Sequence, residues 1–238
     1  MSVIVPRWEW RTFGDDFGVA EARVASLAPD RVQESDELYV VSSKADESVK
    51  FRDELMDVKH LVQVNEDGLE QWTPILKERF PLSSAVVGSV LEALGVPVPP
   101  LERAGYTLDQ LVGELVGQNE LLLAVTVSKT RKHYDIGGCM TELTEVRTER
   151  GTIRSIAVES EDPALVIATV RDLSLDARPN VSFPRGLKTL VGLHPPDAGA
   201  VRRSEAPNAI APMPSSQPSA TNGSEVALST VSRQASSR

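Results

Sequence analysis

The chain opens on a strict alternation. Across residues 3–12, Trp8 and Trp10 fall on one face of an extended segment, while Arg7, Glu9 and Arg11 fall on the other. That two-residue period is the signature of a β-strand. The same period predicts a short strand over residues 37–42. Segments 48–52 and 56–64 also alternate and are expected to pair through a turn at Asp53-Glu54. Residues 69–77 read as a further strand, interrupted by Pro74, and residues 121–133, 140–148 and 152–160 as a run of three more.

Helical spacing fills the gaps. Asp15 or Asp16 is placed to cap a helix that buries Val19, Ala20, Val24 and Leu27. Residues 84–94 form a helix ended by Gly95. Thr107-Leu-Asp-Gln110 has the form of a capping box and opens a helix reaching about residue 116. Asp162-Pro163 starts another, with Leu165, Val166, Ala168, Thr169, Val170 and Leu173 along it, and residues 186–193 predict a last short one.

Roughly eight strands with a few irregularly placed helices exclude a doubly wound parallel sheet. The expected class is α+β: an eight-stranded antiparallel β-barrel or tunnel, with helices packed outside. It spans residues 1–195. From residue 196 to 238 the chain turns to Pro, Ser, Ala, Asn and Gly without aromatic residues or a sustained period. Such a segment buries too little apolar surface to offset its conformational entropy, so a disordered tail is expected, at most a tether for a protein partner.

Composition narrows the setting. The 238 residues are 41% hydrophobic and 25% charged, ordinary for a globular chain able to bury a core without covalent staples. A single cysteine, Cys139, excludes an internal disulfide and fits a reducing compartment as a buried thiol. No apolar run has membrane-spanning length and the N-terminus lacks the pattern of a signal peptide, so a cytoplasmic location without membrane contact is expected. The net charge of −9 argues against duplex nucleic acid as a partner.

That average conceals a local pattern. Arg7, Arg11, Lys50, Arg52, Lys59, Lys129 and Arg131 sit on or beside separate predicted strands, several at i and i+2, with apolar residues on the opposite face. One charged strand face is ordinary solvation. Its repetition on four strands, with the apolar faces covered by helices, points the charges into a curved sheet. A Gly-rich phosphate loop ending in Lys-Ser/Thr is absent from the sequence. His60, His133 and His194 have no metal-ligand spacing, and Trp8 and Trp10 read as outer-face packing.

In this order the motifs resemble the CYTH domain, the family of triphosphate tunnel metalloenzymes. The family's opening Glu-x-Glu-x-Lys strand has its counterpart in Arg7-Trp-Glu9-Trp-Arg11, and its Arg-x-Arg and Lys strands in Lys50-Phe-Arg52 and Met56-Asp-Val-Lys59. The late basic strand corresponds to Lys129-Thr-Arg131, the acidic strand to Glu142-Leu-Thr-Glu145, the Glu-x-Glu strand and helix start to Ala157-Val-Glu159 and Asp162-Pro163, and the closing stretch to Asn180-Val-Ser182-Phe183. The resemblance runs from about residue 3 to residue 193. It implies a polar lumen in which Arg7, Arg11, Lys50, Arg52, Lys59, Lys129 and Arg131 bind a triphosphate or polyphosphate. It also implies that Glu9, Glu142 and Glu159 hold Mg²⁺ or Mn²⁺.

The physical logic agrees. A phosphate chain needs several cations, for which Arg forks and Lys ammoniums are suited, and a hard metal needs carboxylates. Two departures thin the acidic set: Arg7 stands where the family has its first Glu, and Ala157 where it has the first Glu of the late pair. Glu142 and Glu145 are three apart, so one of them faces the lumen, and Glu142 is the better placed. Metal binding is thereby weakened more than phosphate binding. The expected function is hydrolysis of a triphosphate or polyphosphate with a divalent metal. The alternatives are a catalytically weakened phosphate-binding module and an adenylate cyclase.

Overall fold

The computed structural model describes residues 5–193. The expected tail and His194 lie outside the described residues. Ten strands and their helices follow in chain order: β1 (Arg7–Gly14), α1 (Val19–Ala25), β2 (Arg31–Ser42), β3 (Ser48–Arg52), β4 (Leu55–Val64), β5 (Glu70–Arg79), β6 (Leu82–Ser83), α2 (Ser84–Ala93) and β7 (Gly105–Tyr106). Next come α3 (Leu108–Gln110, continuing as a π-helical stretch, Leu111–Val116), β8 (Leu122–Ile136), β9 (Cys139–Thr148), β10 (Gly151–Ser160), α4 (Pro163–Asp172) and α5 (Phe183–Val191). Eight strands close into an antiparallel ring in the order β1-β10-β9-β8-β2-β3-β4-β5, with β5 returning to β1, while β6 and β7 form a separate two-stranded sheet. The architecture is the eight-stranded tunnel that the CYTH resemblance implies. Among the described residues, no helix is long and apolar enough to cross a membrane.

Alternation along each strand divides the core. Val40, Val49, Phe51, Met56 and Val58 point outward and pack under Val87, Val90, Leu91 and Leu94 from α2 and its C-cap. Trp10, Leu143, Ile156 and Val158 point outward on the other side, beneath Val166 and Val170 of α4 and Ala20 and Val24 of α1. Trp10 is therefore outer-face packing.

The neighbouring set points inward. Tyr39, Val41, Val125, Val127 and Val146 pack against Leu187 and Val191 of α5. Because Val125, Val127, Lys129 and Arg131 share one face of β8, this places α5 against the inner wall of the ring, at its apolar end. The helices α2 and α4 pack outside as expected; α5 does not. Gly186 permits the approach: a Cβ there would lie 2.2 Å from the Phe13 ring.

Several local expectations shift. The second strand begins at Arg31 rather than residue 37, because the polar stretch before Glu37 pairs residue by residue with β8, from Arg31↔His133 onward. Main-chain pairing here needs no apolar pattern. The first helix has Gly18 at its N-cap with no side-chain cap, and Asp16 instead accepts a hydrogen bond from the Gly18 N–H at 3.0 Å. Val19 and Leu27 are exposed, while Ala20 and Val24 are buried as expected. Pro74 does not end β5: the register shifts between Val58 and Lys59, leaving Ile75 as the extra residue of a bulge. The last helix starts at Phe183, with proline in its first turn, rather than at Gly186.

Candidate functional site

Inward-pointing positions beyond the α5 plug are polar, and they enclose a cavity of about 120 Å³. Its wall includes Glu9 and Arg11 from β1, Lys50 from β3, Asp57 and Lys59 from β4, Lys129 and Arg131 from β8, Glu142 from β9 and Glu159 from β10. Phe183 and Pro184 of α5 close one side. Two sequence candidates lie at the margin. Arg7 donates to the Met140 sulfur at 2.6 Å, away from the cavity wall. Arg52 is 38% exposed, with its guanidinium 3.6 Å from both Glu37 and Asp53. Glu145 is on the opposite face of β9 from Glu142 and pairs with Arg147.

The lumen has two electrical halves. One, built from β2, β3, β4 and β8, is organised by Glu37, whose side chain has no exposed surface. Arg131 Nη2 donates to Glu37 Oε1 at 2.7 Å, Lys129 Nζ lies 3.2 Å from Oε2, and the Tyr39 hydroxyl donates to Oε2 at 2.9 Å. Burial by itself would push the Glu37 carboxyl up. Lys129, Lys50 and Arg131 outweigh it and hold the group well below the ordinary carboxylate range. Lys129 also donates to the Tyr39 hydroxyl at 2.7 Å and sits over the Phe183 ring at 3.5 Å. Burial pulls its ammonium down to about 7 against the attraction of Glu37. Burial likewise lowers Lys50, whose Nζ is 3.8 Å from Asp57. In this half the five cations Lys50, Arg52, Lys59, Lys129 and Arg131 have three acidic ion-pair partners among the described residues, Glu37, Asp57 and the exposed Asp53, so positive charge is in excess.

The other half, built from β1, β9 and β10, is acidic. Arg11 Nε donates to Glu9 Oε1 at 2.7 Å, and its Nη1 to the Ser155 hydroxyl at 3.1 Å and to Glu142 Oε1 at 3.4 Å. Burial disfavours the charged guanidinium, but Glu9 first and then Glu142 reverse that and raise its pKa. The Glu142 carboxyl would rise on burial; Arg11 and the hydroxyl of Thr144, donating at 2.6 Å, bring it down to about 2. Glu159 lies directly opposite Glu9 in the β1–β10 register. Burial and then the Glu9 charge push its carboxyl well above the ordinary range.

The three carboxylates taken together do not make a ready metal cage. Two of them, Glu9 and Glu142, share one guanidinium through their Oε1 atoms, and Glu142 Oε1 also accepts from Thr144. Among the described residues, no three acidic, His or Cys side chains converge at metal-binding spacing. His133 Nδ1 lies 3.9 Å from Glu142, and His60 Nδ1 is 2.9 Å from Glu47.

Glu37 and Tyr39 carry no sequence signal beyond their place in a strand, and Asn180 and Phe183 stand in the closing stretch of the CYTH resemblance without a role assigned there. The two-residue period places Glu37 in the inward phase of Tyr39 and Val41, which marks it as a lumen residue. Tyr39 and Phe183 supply aromatic surface to Lys129. Asn180, which belongs to none of the ring strands, fixes β1: its Oδ1 accepts from the Arg11 N–H at 2.8 Å, and its Nδ2 donates to the Gly68 carbonyl at 2.8 Å.

No family model and no curated protein matches the chain. Solved structures align with the chain at low identity. HpAC1 from Hippeastrum, an adenylyl cyclase candidate described as having a dominant triphosphatase activity, aligns at 13% identity with a TM-score of 0.44, over 79% of this chain and 96% of its own. A conserved hypothetical protein from Pyrococcus furiosus aligns at 13% identity and a TM-score of 0.41, over 75% and 98%. An adenylate cyclase candidate from Bacillus halodurans aligns at 12% identity and a TM-score of 0.37, over 76% and 93%.

Proposed function

We propose that the chain is a divergent CYTH protein whose tunnel binds a triphosphate or polyphosphate and cleaves a phosphoanhydride in it. One observation supports this above the others: Arg11, Lys50, Lys59, Lys129 and Arg131, from four strands, line one cavity. Cations distributed around a lumen surround a phosphate chain on all sides, which a single basic strand cannot do. Lys59 belongs to no ion pair among the described residues and is the cation most available to an incoming phosphate. Lys129 and Arg131 meet the chain from their station on Glu37. Fixed cations aimed at the transferring phosphoryl group stabilise the charge spread over its oxygens, the main contribution a protein makes to this reaction.

A second reading, binding without turnover, is favoured by the Arg11 contacts, which commit two of the candidate metal carboxylates. Phosphate release from inorganic triphosphate, ATP, thiamine triphosphate and long polyphosphate, with and without Mg²⁺ or Mn²⁺, separates the two. Release from at least one substrate supports the enzyme. Calorimetric binding without release supports the module, and neither binding nor release overturns both.

A further inference from the structure

We infer that Arg11 is a built-in cation that occupies the place of a divalent metal between Glu9 and Glu142, so that the tunnel takes a phosphate chain without metal. The inference deepens the proposed function and relies on it for the ligand.

The geometry of Arg11 carries it. Three side chains on three strands converge on one guanidinium: Glu9 at 2.7 Å, Ser155 at 3.1 Å and Glu142 at 3.4 Å. The residue is 6% exposed. Its main chain is clamped on both sides, the N–H by Asn180 Oδ1 at 2.8 Å and the carbonyl by the Val181 N–H at 2.7 Å. The Phe183 ring stands 5.6 Å from its Cζ. A guanidinium so held is anchored between the two carboxylates, and it stays charged at any working pH.

A hard divalent ion at the same point would need carboxylate oxygens at about 2.0–2.1 Å in near-octahedral geometry. The Oε1 atoms of Glu9 and Glu142 are already engaged by Arg11, and a metal beside it would bring two like charges together. One of the two carboxylate charges is cancelled by Arg11 before any ligand arrives. Part of what a metal would otherwise do at this wall, reducing the negative charge that repels a phosphate chain, Arg11 does permanently.

Two measurements on the full-length chain test this. Mn²⁺ titration followed by electron paramagnetic resonance, without phosphate, should show no tight site in the wild type. Arg11→Gln, which frees Glu9 and Glu142 while keeping a polar side chain, should bind Mn²⁺ at least about tenfold more tightly, the lower bound for exchanging a charge-assisted partner. Arg11→Lys, which retains a cation, should behave like the wild type. Calorimetric titration of inorganic triphosphate in excess EDTA should give wild-type affinity within about threefold of that in Mg²⁺, whereas Arg11→Gln should bind only when Mg²⁺ is supplied. A tight wild-type Mn²⁺ site, or loss of wild-type triphosphate binding in EDTA, overturns the inference. If triphosphate binds under neither condition, the proposed ligand is wrong, and the Mn²⁺ comparison still decides the role of Arg11. Melting curves confirm that each variant is folded; should Arg11→Gln not fold, Mn²⁺ binding by Arg11→Lys that exceeds wild type overturns the inference by itself.

Discussion

The carboxylate of Glu37, fully enclosed in the wall of the ring, lies 2.7 Å from the guanidinium of Arg131. It is also the counter-charge of Lys129 at 3.2 Å. A buried and a half-buried cation on one strand, Lys129 and Arg131, therefore pair with the same acid from the neighbouring strand, and this arrangement makes a basic lumen compatible with folding. Cations gathered without an anion would repel one another and be poorly solvated; cations fully matched would have little left for a ligand.

Replacing Glu37 with Gln should destabilise the protein by about 3–5 kcal/mol, the usual cost of removing one partner from a buried ion pair. Inorganic triphosphate should restore more of the melting temperature in this variant than it adds to the wild type, because the ligand supplies the missing charge. Differential scanning calorimetry with and without ligand measures both effects.

Glu37 also sets an acid sensitivity. Its folded pKa is held below the unfolded value, chiefly because Lys129, Lys50 and Arg131 overcome the cost of burial. The stabilisation is thus fully present above the ordinary carboxylate pKa and is lost progressively as pH falls toward the folded one. Melting temperature should fall below about pH 4.5 in the wild type, and the slope should be shallower in Glu37→Gln. Equal slopes would show that other carboxylates control acid unfolding.

The plug makes a packing prediction. A methyl group at Gly186 would meet the Phe13 ring at 2.2 Å. Gly186→Ala should cost about 1–3 kcal/mol through overpacking. The double variant with Phe13→Leu should recover much of that loss, since the offending atom is the ring edge. Urea denaturation of the two single variants and the double variant gives the coupling.

Lys59 separates ligand binding from stability. It lines the cavity, and no ion pair of the described residues includes it. Lys59→Ala should weaken triphosphate binding by about 1.5–3 kcal/mol, the range for a hydrogen bond to a charged group, with little change in melting temperature. Unchanged affinity would place the phosphate chain elsewhere in the lumen.

Asn180 is expected to act at a distance. Its side chain ties the Arg11 N–H to the Gly68 carbonyl, joining β1 to the turn between β4 and β5. Asn180→Ala leaves both groups short of a partner and should cost about 1–3 kcal/mol. Hydrogen exchange at the Arg11 amide should accelerate in that variant more than at amides of β8.

The amino-acid sequence by itself determined much of the ring. Residues such as Trp8, Glu9, Trp10 and Arg11 dictate their own faces, because a strand's side chains alternate whatever it pairs with. The helix caps at Thr107 and Asp162 were equally local, each satisfied by backbone groups within a few residues. The phase of Lys50, Lys59, Lys129 and Arg131 was legible for the same reason, and the structure brings all four to one cavity. Tertiary structure decided what local pattern leaves open. The early half of β2 has little apolar periodicity and exists through its pairing with β8. The inward course of α5 depends on Gly186 meeting Phe13, residues 173 positions apart in sequence. The matching of charges, Glu37 to Arg131 and Arg11 to Glu142, depends on strand order and register around a closed ring. Coulomb energies fall off over a few ångströms in a medium whose dielectric is set by burial, so charge on a list of residues becomes chemistry only when closure of the sheet fixes those distances.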